Sequence, residues 1–359
     1  MIKIIDWYII KKYLGTYVFT LAIFIVIFVI FDVSEHLDNF LRYNAPLEKI
    51  VFEFYTGAIP FYINLLSPLI NFIAVIFFTA KMADQTEIVP ILSGGVSFGR
   101  FLRPYFIASF IIFLFSLLSN IFIIPKTNKL KIDFENIYID PNDNNTKLYT
   151  HMQLDKDTYV YIENFDNTYN IGYKFALEKF SGDELKEKLV ADRIAWDSVK
   201  RKWNIENYSI RTINGLKENL IAGVKKDTTL DMRPEDFETY NNIFQAMGMT
   251  ELNDRIRKEE IRGTGIMTDL KLEKYKRFVY PFASFILTLM GVSLSSRKVR
   301  GGIGLPLGLG ILFSFTYILS MQFANMFALK GGLPPIVAVF IPNIIFGCLG
   351  VYLLMKAPK

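Results

Sequence analysis

Residues 101–132 read FLRPYFIASFIIFLFSLLSNIFIIPKTNKLKI, an apolar run followed directly by charge. The run from Phe101 to Ile124 is longer than the roughly 20 residues that a helix needs to cross the hydrocarbon layer of a membrane. Lysines then follow at 126, 129 and 131, and the next long apolar run starts only at Phe278. The stretch therefore predicts the end of one membrane span and the start of a large water-facing insert.

Apolar runs of similar length lie on both sides of this insert, two before residue 101 and three after residue 277. Together they predict six transmembrane helices with a β domain inserted between the third and the fourth. The expected spans are 13–31, 59–79, 101–124, 278–294, 303–327 and 334–355, the fourth continuing from a helix that begins near Leu270. The expected domains are 1–125 (spans 1–3), 126–265 (the insert with its connecting helices) and 266–359 (spans 4–6).

The composition supports this division into membrane and aqueous parts. The 359 residues are 52% hydrophobic with mean hydropathy +0.28, yet 21% are charged. Residues 126–277 contain 26 of the 40 basic and 27 of the 35 acidic residues, so the insert is nearly neutral. That balance argues against a nucleic-acid-binding surface. A single cysteine and two distant histidines exclude a disulfide framework and leave no basis for a metal site or a cofactor.

The positive charges predict the orientation, because Lys and Arg resist translocation across the membrane. With a cytoplasmic N-terminus, the short cytoplasmic segments hold eleven basic and three acidic residues, and the opposite short loops hold three basic and five acidic residues. This bias predicts that both termini are cytoplasmic and that the insert lies outside. No small-residue cleavage signature follows the first run, so we interpret it as an uncleaved helix.

The insert changes from helical periodicity to short alternating runs that are typical of β-strands. The expected strands are 158–165, 169–180 and 193–210, the last as strand, turn and strand, with turns at PNDNN (141–145) and FSGDE (180–184). This pattern favours a β sandwich or barrel. After Pro234 the pattern is helical again, with Thr250 as the expected N-cap of a helix that ends before Gly263.

Motifs that carry chemistry are scarce. The chain has no GxxxxGK[ST] phosphate loop, so it is not itself a P-loop ATPase. Its spans are nearly free of ionisable residues, which argues against a membrane-embedded enzyme acting on lipid carriers.

Two other patterns favour structural interpretations. The glycine-rich SGGVSFGR (93–100) and GGIGLPLGLG (301–310) indicate helix ends and close packing, with Gly304 and Gly308 as a GxxxG helix contact. Asp32, Glu35 and Asp38 lie near the outer end of the first span, and we interpret them as a solvated helix end.

Several stretches match a known family in order and spacing around the insert. They are IDWYII (5–10), the second span with Pro60 and Pro68, ADQTEIVPILSGGVS (83–97), YVYIENF (159–165), EKYKRFVYPFA (273–283), SSRKVRGG (295–302) and GGLPPIVAVFIPN (331–343). Over almost its whole length the chain resembles the LptF/LptG permeases, the inner-membrane subunits of the ABC transporter that extracts lipopolysaccharide from the bacterial inner membrane. The compact length and the IDWYII start slightly favour LptG over LptF.

The resemblance implies a non-catalytic subunit powered by a separate ATPase. In the family, the cytoplasmic segment after the second span is a short coupling helix that docks in a groove of the LptB ATPase dimer. Here that helix would be 84–92, with Glu87 at the family's acidic position. The coupling residues implied are Asp84, Glu87, Ile88, Ile91 and Leu92.

The resemblance also implies a route for the lipid. The family's insert is a periplasmic β-jellyroll that continues, through LptC and LptA, as an apolar trough for acyl chains. Lipopolysaccharide enters laterally between the first and fifth spans of a pair of LptF/LptG subunits. The substrate-cavity residues implied are Phe24, Phe28, Phe31, Arg42, Phe313, Phe315 and Tyr317.

One departure from the family concerns the lipid's phosphates. LptG members often carry lysines at the periplasmic end of the first helix, where this chain has Asp32, Asp38 and Asn39, with only Arg42 nearby. Either the phosphate contacts come from elsewhere or the head group differs. The alternative functions are a permease of another ABC-type lipid or lipoprotein exporter, disfavoured by three spans preceding the insert, and a membrane-embedded lipid-modifying enzyme.

Overall fold

The computed structural model describes residues 3–139, 146–215, 217–237, 243–263, 265–297 and 302–357. The expected PNDNN turn (141–145) and residues 298–301 of SSRKVRGG lie outside the described residues. The chain divides into two compact units. The first comprises Met1–Ile139, Gln245–Gly248 and Lys271–Lys359, and the second Asp140–Phe244 and Met249–Leu270.

Six helices in the described part of the chain are long and apolar enough to cross a membrane, which confirms the predicted number of spans and their order around the insert. Span 1 is α1 (Ile4–Arg42), span 2 joins α2 (Leu47–Lys49), a π-helical segment (Ile50–Tyr55) and α3 (Thr56–Asp84), α4 (Ile88–Ser93) follows, and span 3 joins α5 (Phe98–Leu118), a second π-helical segment (Ser119–Ile123) and α6 (Ile124–Tyr138). After the insert come α7 (Ile243–Ala246) and α8 (Met249–Arg262), then span 4 with α9 (Met267–Val279), a 3-10 turn (Tyr280–Phe282) and α10 (Ala283–Ser295), span 5 with α11 (Gly304–Lys330) and span 6 with α12 (Pro335–Lys356).

The helices extend beyond the apolar runs that predicted them. At 1.5 Å per residue, the 39 residues of α1 reach about 58 Å, roughly twice the thickness of the hydrocarbon layer. Hydropathy marks only the part of a helix that lies in hydrocarbon. The polar turns at each end remain helical because their backbone groups bond within the helix in water as well.

Span 2 is the centre of the first unit. α3 packs against α1, α10 and α11, and it contributes to two buried apolar clusters, one shared with α1 and α5 and the other with α10, α11 and α12. The apolar window of span 4 is 61% buried, whereas the windows of spans 1 and 5 are 6% and 22% buried. Spans 1 and 5 therefore present the most uncovered apolar surface.

Close helix packing occurs at a glycine other than the predicted pair. A Cβ at Gly291 in α10 would lie 2.8 Å from Val75 Cγ1 and 3.1 Å from Phe72, both in α3. Beside Gly304 and Gly308 the described residues leave open space, so the expected GxxxG contact is not formed among them. A glycine pattern gives spacing along one helix, but the partner helix decides which glycine is needed.

The second unit contains one six-stranded antiparallel sheet in the order β1-β2-β3-β4-β5-β6. The strands are β1 (Thr146–Asp155), β2 (Thr158–Asp166), β3 (Ile171–Ser181), β4 (Glu184–Asp197), β5 (Lys202–Asn214) and β6 (Lys217–Thr228). The inserted β domain is thus confirmed. Among the described strands the order is a meander rather than the Greek-key order of a jellyroll, because short turns join each strand to the next and make chain neighbours pair.

The predicted strands correspond to β2, β3, β4 and β5, and the turn at FSGDE lies between β3 and β4. The sequence missed β1 and β6, the two edge strands. β6 is exposed along almost its whole length, so its side chains do not alternate between core and solvent. Alternation is a main signal of a strand, and β6 lacks it because it has no buried face; β1 does bury Thr150 and Met152 and was missed nonetheless.

Helix α8 is attached to the segment that follows β6 by a cluster of ion pairs. Asp236 is buried and pairs with Arg255 and Arg262, and Arg262 also donates to the backbone oxygen of Asp231 at 2.6 Å. The helix begins at Met249, so Thr250 lies inside it rather than at its N-cap, while Gly263 follows its last residue with a φ of +60° as expected. The Asp236 carboxylate compensates two guanidinium groups that have little access to water.

Candidate functional site

The connection between spans 2 and 3 is a turn followed by a short helix. α3 ends at Asp84, Thr86 takes a left-handed conformation with a φ of 57°, and α4 covers Ile88–Ser93. The expectation of one helix over 84–92 is therefore wrong in its bounds. A left-handed residue cannot continue a right-handed helix, so the turn separates Asp84 from α4.

α4 has an inner face made of three of the predicted coupling residues. Ile88 is 2% exposed and belongs to the apolar cluster of α1, α3 and α5, and Ile91 and Leu92 pack against the same cluster. These side chains hold α4 on the bundle; Ile88 is buried, whereas Ile91 and Leu92 are only partly buried. The outward face consists of Val89, Pro90 and Ser93.

The two predicted acidic residues lie beside this outward face. Asp84 is exposed at the end of α3. Glu87 immediately precedes α4, and its Oε2 accepts a hydrogen bond from the Tyr8 hydroxyl at 3.2 Å. The surface offered here is small and apolar with a carboxylate on its rim, which suits docking rather than chemistry.

A bidentate ion pair lies near this connection. Arg100 in the first turn of α5 donates from Nη1 and Nη2 to the two oxygens of Asp6, at 2.8 Å and 2.5 Å. Asp6 is buried, and its Oδ2 also accepts from the backbone N–H of Lys3. Ser97 caps the same turn of α5 by accepting from the Arg100 N–H. The start of span 1 is thereby fixed to the start of span 3.

The predicted cavity residues of span 1 have different surroundings. Phe31 is 71% exposed on the outside of α1. Phe24 and Phe28 are half-buried and border a narrow groove against α3, where the Phe28 ring centroid lies 4.1 Å from that of Tyr62. Arg42 is exposed at the end of α1, with its guanidinium 5.6 Å from the ring of Tyr43. The side chains of Phe31 and Arg42 are therefore accessible to a ligand.

The predicted cavity residues of span 5 also divide. Phe315 is 60% exposed, whereas Phe313 packs on the cluster shared with α3, α10 and α12. Tyr317 is fully buried, and its hydroxyl donates to Asn343 Oδ1 at 2.7 Å. Tyr317 is therefore a packing residue of the bundle and not a wall residue, because its helix turns it towards α12.

The acidic residues at the outer end of span 1 only partly form the solvated helix end that was expected there. Glu35 and Asp38 are exposed, but Asp32 is buried and accepts from the Tyr55 hydroxyl at 2.9 Å. His36 lies against the same carboxylate, with Nδ1 3.5 Å from Asp32 Oδ1. Asp32 is therefore not part of a solvated helix end. It fixes the far end of α1 to span 2.

A buried polar network joins spans 1, 2 and 4 and was missed by the sequence analysis. The Tyr13 hydroxyl donates to Asn71 Oδ1 at 2.5 Å and lies 2.9 Å from Thr288 Oγ1. Asn71 donates in turn to Thr288 Oγ1 and to the backbone oxygen of Ser284. An asparagine inside an apolar run is the signal that could have indicated it, because a polar side chain in a span must find a partner.

A cavity of 280 Å³ with both polar and apolar lining residues lies between spans 2, 3, 4 and 5. Among its lining residues, Asn64 and Asn120 exchange hydrogen bonds, and Arg277 pairs with Glu273 at 3.0 Å. Within the described residues no group of three or more His, Cys, Asp or Glu could hold a metal ion.

Among the described residues, six apolar helices long enough to cross a membrane, with a six-stranded sheet inserted between the third and the fourth, define a polytopic membrane protein. The family model of the lipopolysaccharide export system permease LptF/LptG matches residues 7–356. The chain belongs to this family, as its resemblance predicted, and it is a multi-pass inner membrane protein with a permease role in lipopolysaccharide export. The match does not distinguish LptF from LptG, so the slight preference for LptG stays a prediction. A comparison with curated proteins gave no match.

Proposed function

We propose that this chain is one of two permease subunits of an ABC transporter that extracts lipopolysaccharide from the inner membrane. In this proposal an LptB ATPase dimer docks on the α4 surface and supplies the energy. A paired LptF/LptG subunit completes the lipid pathway, and the β domain passes the lipid to a periplasmic bridge of LptC and LptA. The chain itself performs no catalysis.

The observation that carries the proposal is the uneven burial of the spans. Spans 1 and 5 are the least buried of the six, and no residue of α1 between Tyr17 and Asp32 is buried. Within the chain, α1 packs mainly on α3 and α5, and α11 packs mainly on α3 and α12. Each of these spans therefore has a free apolar side, as expected of helices that meet a second subunit and a lipid between them. Phe31 and Phe315 are the proposed wall residues, and Phe24 and Phe28 lie half-buried on the same span as Phe31.

The energy input is proposed to act on the outward side of α4. Glu87 lies beside Val89, Pro90 and Ser93. A groove of the ATPase dimer with apolar residues at its base and basic residues at its edge would therefore match this surface. The inner face of α4 supports this role through Ile88, Ile91 and Leu92. Because these side chains pack on the bundle, α4 is a rigid element that can transmit a displacement.

Glu87→Lys tests the coupling site in a complex reconstituted with the ATPase and the second permease. We expect loss of ATP-driven lipid release, because reversal of the charge repels a basic rim, while the protein still inserts. Glu48→Lys is the matched control, since Glu48 is an exposed acid in α2, outside the connection between spans 2 and 3. Unchanged lipid release by Glu87→Lys would refute the coupling assignment.

The orientation proposed has cytoplasmic termini and a periplasmic insert, with 1–125 and 266–359 as the membrane part and 126–265 as the inserted part. Cys348 is the single cysteine, so its replacement by serine allows new cysteines to be labelled one at a time. Val199 between β4 and β5 is 94% exposed, and Ser93 is exposed on α4. A membrane-impermeant maleimide should label Val199→Cys from the periplasm and Ser93→Cys only after lysis. The reverse pattern would reject this topology and the export function with it.

A further inference from the structure

The N-terminal turn of span 1 contacts both ends of the connection that holds α4. At one end, Arg100 of α5 forms its bidentate pair with Asp6. At the other, Tyr8 donates to Glu87, the residue immediately before α4. A bidentate guanidinium–carboxylate pair resists both sliding and rotation, because two parallel bonds must break together. The two contacts therefore hold α1 from either side of α4.

Apolar packing completes this attachment. Ile9 and Ile10, on the turn after Tyr8, are almost fully buried, and they share one apolar cluster with Ile88 of α4 and Phe98 of α5. A well-packed cluster transmits displacement, because its members have no free volume into which they could move independently. A displacement of α4 must therefore move the first turns of α1.

Between this attachment and its far end, where Asp32 accepts a hydrogen bond from Tyr55, span 1 is less buried. None of its residues between Tyr17 and Asp32 is buried, and its next buried residues are Asp32 and Phe40. This middle section bears Phe31, which is exposed, and Phe24 and Phe28, which are half-buried against α3. Span 1 is therefore a long helix that is held at both ends, by Asp6 and Tyr8 near α4 and by Asp32 at the far end, and is less buried along the section where a lipid would pass.

We infer that Asp6 and Tyr8 are positioning residues that link α4 to span 1, so that displacement of α4 by the motor moves the helix wall beside the lipid. The inference rests on the proposed function. Asp6 and Tyr8 contact neither nucleotide nor lipid in this mechanism. They act through Arg100 and Glu87, so their loss separates ATP hydrolysis from lipid release.

The test measures lipid molecules released per ATP hydrolysed by the reconstituted complex in vesicles. Asp6→Asn and Arg100→Gln should each lower this ratio by about fivefold or more, the range of ordinary coupling between two sites, while ATP hydrolysis continues. The double variant should be no worse than either single variant, because both changes remove the same contact. Asp6→Glu should restore most of the ratio, and Tyr8→Phe should lower it by a smaller factor. Arg103→Gln is the matched control, an exposed arginine one turn further along α5.

The outcomes distinguish failure of this inference from failure of the proposed function. An assembled complex in which Asp6→Asn and Tyr8→Phe both keep the unaltered ratio overturns the inference. If Asp6→Asn does not assemble, Tyr8→Phe decides alone, because it removes one hydroxyl from a partly exposed side chain and leaves the packing intact. A complex of unaltered chains that hydrolyses ATP without releasing lipid would instead refute the proposed function.

Discussion

Removal of one hydroxyl from the centre of the bundle tests the polar network between spans 1, 2 and 4. Tyr13→Phe keeps the ring in its fully buried site and deletes the hydroxyl that contacts Asn71 Oδ1 and Thr288 Oγ1. Asn71 retains its bonds to Ser284 and Thr288 through Nδ2, so the loss falls on its Oδ1. We expect the folded state to lose stability without a change of fold.

The magnitude follows from two ranges. A buried acceptor left without its donor costs about 1–3 kcal/mol in proteins generally, whereas hydrogen bonds between membrane helices average about 0.6 kcal/mol and reach about 1.7 kcal/mol. Two contacts are lost and one acceptor is left unsatisfied, so about 1–2 kcal/mol is expected. Equilibrium unfolding in mixed micelles measures this difference directly.

Tyr352→Phe provides the control, because Tyr352 is an exposed tyrosine of α12. Its unfolding free energy should stay within about 0.5 kcal/mol of the unaltered protein. Combining Tyr13→Phe with Thr288→Val should give less than the sum of the two losses, since the residues share a hydrogen bond. The reasoning is refuted if Tyr13→Phe and Tyr352→Phe have the same effect, or if the losses at Tyr13 and Thr288 are strictly additive.

Two further predictions concern packing and buried charge. Gly291→Ala should destabilise the membrane unit by about 1–3 kcal/mol, because its Cβ would press on Val75 and Phe72, whereas Gly304→Ala should be neutral; similar melting temperatures in detergent would contradict the tight approach of α10 to α3. Asp236→Asn should cost about 3–5 kcal/mol, because it removes the buried carboxylate that pairs with Arg255 and with the buried Arg262, and limited proteolysis of the full-length chain should then cut the second unit faster; an unchanged cleavage rate would show that the cluster is dispensable.

The sequence was sufficient to predict the family, the six spans and the inserted β domain. It was not sufficient to predict most side-chain contacts. Hydropathy found six spans because the membrane requirement is local, and alternation found β2 to β5 because these strands have a buried face. A short helix does lie between spans 2 and 3, but the prediction merged it with its preceding turn, and its coupling role stays a prediction. The left-handed backbone of Thr86 separates the two, and a threonine gives no sequence signal for that conformation.

The candidate residues show the same limit. Phe315 and Tyr317 are two residues apart on one helix, and both were expected on the substrate wall. The structure exposes the first and buries the second against Asn343. Asp32 and Glu35 are similarly close, yet only Asp32 is buried against Tyr55 and His36. A nearly uniformly apolar helix does not reveal which of its sides is covered, because lipid and protein interior select the same side chains.

The sequence by itself determined the number of spans and the position of the insert, because these depend on runs of residues whose character is fixed by water or lipid, and the family, because its motifs are local stretches in a set order. Only the tertiary structure decided which side of each span is free, which glycine allows close approach and which carboxylates are paired. Those properties depend on partner atoms from distant parts of the chain, such as Arg100 for Asp6 and Tyr55 for Asp32. No local pattern encodes a partner ninety residues away, and the contacts proposed to move span 1 are of this kind.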